Sequence, residues 1–133
     1  MRFNTRKHVK PPDLSPSGAL MGGVLMEWID EEASIFVICQ LNNNKVVTKY
    51  MSEVEFVNPA FRGDIIEIGC ELLSVGRTSV TLKCLVRVKG TETVVVTIDK
   101  IVFVNMDGNG RSKPHGLTME MIKAKAENKI NQQ

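Results

Sequence analysis

The chain has 133 residues, 43% of them hydrophobic and 24% charged, with a formal net charge of +2. That length fits one domain able to bury a core, the composition is that of a globular chain, and the charge is too small for a nucleic-acid footprint. No apolar stretch approaches the roughly 18 residues that suggest a membrane span, because Glu27 and Asp30 to Glu32 interrupt the longest candidate.

In chain order, the first ten residues, MRFNTRKHVK, are basic, but Pro11, Pro12 and Asp13 follow where a signal peptide needs its hydrophobic region. Residues 1–10 are therefore read as a flexible N-terminus, residues 1–17 as irregular, and residues 1–133 as a single domain. A helical pattern runs from near Gly18 to about Leu41 and ends in the turn-forming Asn42-Asn43-Asn44. Its apolar residues, among them Leu20, Val24, Leu25, Met26, Trp28, Ile29, Ala33, Phe36 and Val37, cover most of the circumference. Gly23, Glu27, Asp30 and Ser34 fall on one narrow stripe. A helix apolar nearly all round is expected to be buried.

Four segments rich in β-branched residues follow, at about 46–57, 64–75, 78–89 and 93–105. The turns between them are short, which favours antiparallel hairpins. In the third segment Val80, Leu82, Cys84, Val86 and Val88 alternate with mostly polar neighbours, so one face is expected to be buried. Asp107-Gly108-Asn109-Gly110 closes the last strand, and a polar helix is expected within 117–133, with Met119, Ile122 and Ala126 as a weak apolar stripe. The architecture that buries one long helix with four or five antiparallel strands is an α+β fold whose antiparallel sheet wraps around the central helix. Such a curled sheet leaves an open edge, and a second copy would cover it.

Cys39, Cys70 and Cys84 are odd in number, widely spaced and set in core-like segments, which reads as buried reduced thiols in a cytoplasmic protein. His8 and His115 are the only histidines and show no ligand-like spacing, so neither a metal nor another cofactor is expected.

A carboxylate on an apolar helix and a glycine pair near its start are a base and an oxyanion site in outline. Backbone amides around Gly22 and Gly23 can hold a developing oxyanion, and Asp30 can activate water or attack directly; Glu27 shares its stripe. Seven residues separate Gly23 from Asp30, about 10.5 Å of axial rise. That is too far for both to touch one carbonyl, so a site shared by two protomers is expected. Met21, Met26 and Trp28 are candidates for lining an apolar slot.

The pattern Pro12-Asp13 with Gly18, Gly22-Gly23, Ile29-Asp30, Val46-Val47-Thr48, Phe56-Val57-Asn58-Pro59 with Gly63-Asp64, and Gly76-Arg77-Thr78-Ser79 spans about residues 11 to 105. In order and spacing it resembles the hotdog fold, and within it the acyl-CoA thioesterase family of the bacterial short-chain and cytosolic brain-type acyl-CoA hydrolases. The resemblance implies hydrolysis of acyl-CoA, with Asp30 as general base or nucleophile and the Gly22 and Gly23 amides as oxyanion hole. It further implies a homodimer at minimum and a trimer of dimers as the larger assembly. Thr78 and Ser79 are candidates to orient water or ligand, and Arg62, Arg77, Arg111 and Lys113 to meet the phosphates of coenzyme A. Two other readings compete: a non-catalytic acyl-binding module, and a dehydratase, which needs an Asp-His pair that His8 and His115, outside the expected helix and strands, do not supply.

The family's Asp-x-Asn run is Asp13-Leu14-Ser15 here, so a shorter hydroxyl stands where the resemblance implies an assisting amide. Ser15→Asn is expected to raise turnover in a thiol-release assay on acyl-CoA; an unchanged rate would show that Ser15 is not what limits it.

Overall fold

In the computed structural model, which describes residues 1–131, one helix lies across a six-stranded antiparallel sheet. The elements are β1 (Arg2–His8), a 3-10 turn (Pro11–Asp13), α1 (Gly22–Leu41), β2 (Val46–Met51), β3 (Val54–Phe56), β4 (Ile65–Val75), β5 (Ser79–Val88), β6 (Val94–Asn105) and α2 (Met119–Asn131). The strand order is β1-β4-β5-β6-β2, with β3 also paired to β6. Residues 132–133 of the expected C-terminal helix, and the side chain of Ala126, lie outside what is described. Ile122 is buried and Lys125 Nζ donates to Cys39 O at 3.4 Å, which docks α2 on the far end of α1. No helix among the described residues is long and apolar enough to cross a membrane.

Alternation in β4 and β5 builds the inner face: Ile66, Ile68 and Cys70 of β4 and Val80, Leu82, Cys84 and Val86 of β5 are all buried. Onto them α1 lowers one stripe, Leu25, Ile29, Ala33 and Val37, at the four-residue spacing that keeps side chains on one face. Each fully buried aliphatic side chain contributes about 1.5–3 kcal/mol, so this stripe fixes the rotation of the helix. The expectation that the whole circumference is buried does not hold within one protomer. Met21 and Ile35 are 41% and 47% exposed, because the chain's own sheet covers only one side.

The helix starts four residues later than its periodicity suggests. Gly18 has φ +90°, and Ser15 N donates to Ala19 O at 2.7 Å, so residues 14–20 form a small hairpin before the first helical turn. The C-terminus agrees with the reading: Asn42 takes the left-handed conformation, φ 51°, that asparagine tolerates as a helix stop.

The segment expected at 46–57 is two strands, for a reason that lies in β6. There Asp99 and Lys100 stand opposite a single β5 residue, since Leu82 pairs with Ile101 and Cys84 with Ile98. The bulge bends β6. β2 pairs with its 101–105 half and β3 with its 96–98 half, while Ser52 bridges the bend, its N–H donating to Lys100 O and its Oγ accepting from Lys100 N.

Residues 1–10 are not a loose N-terminus: β1 pairs along β4, and His8 sits at the strand's end rather than outside every element. Three contacts hold this polar strand. Glu67, 7% exposed, lies between Arg6 at 3.9 Å and Arg87 at 3.6 Å. The Arg87 guanidinium stacks 3.5 Å from the Phe3 ring centre. Gly69 leaves room for Met1 and Phe3, whose side chains would lie about 3 Å from any added Cβ. Cys39 also departs from expectation: it is exposed, while Cys70 and Cys84 are buried and reduced.

Ile29 is fully buried at the centre of the helix stripe. Ile29→Ala is expected to cost about 2–5 kcal/mol, read as a lower urea midpoint with an unchanged m-value.

Candidate functional site

The small hairpin delivers the chain to the helix start: Asp13 O accepts from Met21 N at 2.9 Å, and Lys10 N donates to Asp13 Oδ2 at 2.9 Å. No side chain caps α1, and the first closing bond is Leu25 N to Met21 O at 3.1 Å. The amides of Gly22, Gly23 and Val24 therefore precede the intrahelical ladder, at the positive end of the helix dipole. Gly23 is open, with nothing within 4 Å of where a Cβ would stand, whereas a Cβ on Gly22 would meet the Phe56 ring at 3.4 Å. Ser15 is half-buried at the hairpin tip, where its Oγ lies 2.7 Å from Ser17 Oγ.

Asp30 is exposed on the side of α1 that the sheet does not cover. Its Oδ1 accepts a hydrogen bond from Thr48 Oγ1 of β2 at 2.8 Å, which fixes the carboxylate over the sheet edge. Gly23 and Glu27 are exposed on the same side. Within one protomer Asp30 and the glycine pair thus share a side but remain about two turns apart, about 10.5 Å along the axis. Around them Met21, Ile35, Val47 and Tyr50 are exposed, more apolar surface at a helix and an edge strand than a solitary protomer usually presents.

Beside Gly22 an apolar cleft of about 240 Å³ runs between the helix start and residues 56–60, lined by Leu20, Leu25, Phe56, Pro59, Ala60 and Val95 among others. The expected slot residues Met21, Met26 and Trp28 do not line it; Met26 and Trp28 pack against the core instead. Arg62 belongs to this end of the molecule, since its neighbour Phe61 bridges to Ala19 and Gly63 N donates to Val9 O.

Arg77, Thr78, Ser79, Arg111 and Lys113 gather at the opposite end, beyond the last turn of α1. The carbonyls of Thr78 and Ser79 are occupied, accepting from Asn105 N at 2.7 Å and from Gly76 N at 2.9 Å, and His115 Nε2 lies 3.1 Å from Ser79 O. Asn105, 4% exposed, is the hub: its Oδ1 accepts from Asn43 Nδ2 at 2.6 Å and its Nδ2 donates to Lys113 O at 2.9 Å. His115 N also donates to Arg77 O at 3.3 Å. The Asp107 carboxyl is held below the usual carboxylate range by the backbone N–H groups of Arg111 and Asn109, with help from the charges of Lys113 and Lys45. A carboxyl lowered in this way tightens its turn at neutral pH, and that contribution disappears only as pH falls through the lowered value. Lys45 joins this cationic group without any signal in the local sequence, and Thr48, though part of the Val46-Val47-Thr48 run, gives no local sign of its bond to Asp30; both contacts pair residues on separate elements.

Known proteins share this fold. A model of the thioesterase superfamily matches residues 17–95. An uncharacterised acyl-CoA thioester hydrolase of Haemophilus influenzae is 32% identical over 124 residues, spanning 87% of this chain and 80% of the relative. Among solved structures, HI0827, a hexameric broad specificity acyl-coenzyme A thioesterase in an aspartate-to-alanine form, superposes with a TM-score of 0.80 at 27% identity, over 97% of this chain and 96% of that one. Cj0915, a hexameric hotdog fold thioesterase of Campylobacter jejuni, superposes with a TM-score of 0.74 at 26% identity, over 90% and 92% of the two chains. A curled antiparallel sheet around one helix, at these similarities, is the hotdog fold. The chain belongs to the thioesterase superfamily.

Asn105→Ala removes the hub of the cationic end and leaves Lys113 O without its side-chain donor. The expected cost is about 1–3 kcal/mol, together with faster amide exchange at Lys113 and His115 and little change in the exchange of α1.

Proposed function

We propose that this chain hydrolyses the thioester of acyl-CoA to a free fatty acid and coenzyme A, at a site made by two copies. The observation that carries the reading is Asp30. It is a carboxylate hydrogen-bonded by Thr48 on the open side of the helix, in line with, yet two turns away from, an uncapped glycine start on the same side. Antiparallel packing of two such helices brings Asp30 of one protomer to Gly22 and Gly23 of the other. It also carries the cationic end of the first protomer toward the apolar cleft of the second. HI0827, named as a hexameric acyl-coenzyme A thioesterase, supports the substrate class, and together with Cj0915, named as a hexameric thioesterase, it supports an assembly of at least two copies, up to a trimer of dimers.

In the proposed reaction the Gly22 and Gly23 amides hold the carbonyl oxygen as it gains charge, a task for which pre-oriented N–H groups are suited. Asp30 takes the proton of an attacking water, or attacks first and leaves water to open the resulting anhydride. In either course oxygen bonds to the acyl carbon, the carbon–sulfur bond breaks, and its electron pair departs on sulfur, which ends as the thiol of coenzyme A. The acyl chain lies in the cleft beside Phe56, and Lys45, Arg77, Arg111 and Lys113 face the phosphates. The three reduced cysteines support a cytoplasmic location.

Ser15 favours a second reading. Its hydroxyl is paired with Ser17 rather than turned free toward the helix start, as a purely acyl-binding module would allow. One assay separates the two. Asp30→Asn is expected to lower thiol release from a panel of acyl-CoAs roughly a hundredfold to ten-thousandfold while acyl-CoA still binds. Equal release by both forms would remove Asp30 from the chemistry. Binding without release by the native chain would establish the module instead, and full activity from a monomer at high dilution would exclude a shared site.

A further inference from the structure

Cys70 and Cys84 stand directly opposite each other across the β4–β5 ladder, fourteen residues apart in sequence. Their Sγ atoms are 2.9 Å apart, and both thiols are reduced. Directly opposed residues of an antiparallel pair have Cα atoms about 4.5–5.5 Å apart, inside the range of about 4.4–6.8 Å that a disulfide bridges. Joining the sulfurs needs side-chain rotation and no movement of either strand.

The surroundings disfavour charge on either sulfur. Glu32 of α1 is buried, accepts a hydrogen bond from Thr5 of β1, and lies close enough to act on Cys70 by charge. The hydrogen bond with Cys84, burial, and the charges of Cys84 and Glu32 all push the Cys70 thiol up. A disulfide, like the neutral thiol, carries no charge for this desolvated corner to penalise, and the thiolate that attacks forms only where local opening lets water reach the pair. Access comes from the sheet edge. β1 is an edge strand, and its register slips between Arg2 and Thr5, beside the Arg2–Cys70 pairing, so local opening of β1 frees the edge of β4 at Cys70 and gives a small disulfide its way in from the side.

We propose that Cys70 and Cys84 are a redox-active pair, converted reversibly to a cross-strand disulfide by a low-molecular-weight disulfide. One protein sulfur displaces a thiol from the small disulfide to give a mixed disulfide, and the second protein sulfur then displaces the other thiol. Two protein thiols are oxidised, one small disulfide is reduced to two thiols, and the two protons end on those thiols. The bond staples the hairpin at the centre of the sheet and is expected to raise Tm by roughly 5 °C or more.

The test uses the full chain carrying Cys39→Ser, which removes the exposed thiol, incubated with excess oxidised glutathione under native conditions and quenched in acid. The expected result is an intact mass lower by two hydrogens, a Cys70 peptide linked to a Cys84 peptide, a higher Tm, and reversal of all three by a phosphine reductant. Adding Cys70→Ser abolishes the mass change. Two free thiols persisting after prolonged incubation, a stable glutathione adduct in place of the link, or linkage only in denaturant would each overturn the proposal. If the Cys70→Ser protein does not fold, the peptide map of the chain that retains both cysteines decides alone.

Discussion

Leu25, Ile29, Ala33 and Val37 pressing into the concave face of the sheet are the contact on which the rest of the molecule depends. An α-helix advances about 100° per residue, so once Ile29 points straight into the core, Asp30 must point sideways and out. The same rotation exposes Gly23 and Glu27. Nothing at the candidate site has to turn these groups outward, because packing on the other side of the helix has already done so. A helix slipped by one residue would bury the carboxylate, at a desolvation cost that no partner within the protomer offsets.

The curl of the sheet is the second determinant, and two residues of β6 contribute to it next to the site. The bulge at Asp99 and Lys100 bends β6, so that β2 and β3 meet its two halves at different angles. β2 then runs close enough to α1 for Thr48 to reach Asp30, while β3 brings Phe56 over Gly22 and closes one wall of the apolar cleft. The irregularity in the middle of the longest strand, with the register shift in β2 between Thr48 and Tyr50, thus lies behind both the carboxylate's hydrogen bond and the cleft beside the glycines.

Much of this was legible in the sequence, and the omissions have physical reasons. Period-two alternation in 78–89 and the helical periodicity before Asn42 are local signals, and they mark β5 and the body of α1 correctly. Residues 2–8 read as irregular because a polar edge strand carries no apolar repeat. What holds it is remote: Gly69 makes room for Phe3, Arg87 stacks on the Phe3 ring, and Glu67 pairs with Arg6. The helix start was set too early because Leu20 and Met21 continue the apolar pattern, while the positive φ of Gly18 ends it. Asp30 and the glycine pair stood out by residue type and spacing. Lys45 did not, and Thr48 is marked only as one residue of the Val46-Val47-Thr48 run, since each matters through a neighbour brought to it by the fold, and the apolar cleft is walled by residues from three separate segments.

Asn43, Asn105 and the carbonyls of Thr78, Ser79 and Lys113 tie the 105–115 segment down through main-chain groups and two side-chain amides, one buried and one half-buried, whereas among the described residues the side chains of Arg77, Arg111 and Lys113 make no hydrogen bond in that fastening. Anchorage and presentation are thus carried by different atoms. Cations on this collar are free to be exchanged, lengthened or lost through mutation without loosening the strands beneath, so lineages of this domain can re-tune what their rim attracts while the helix and its carboxylate stay as they are.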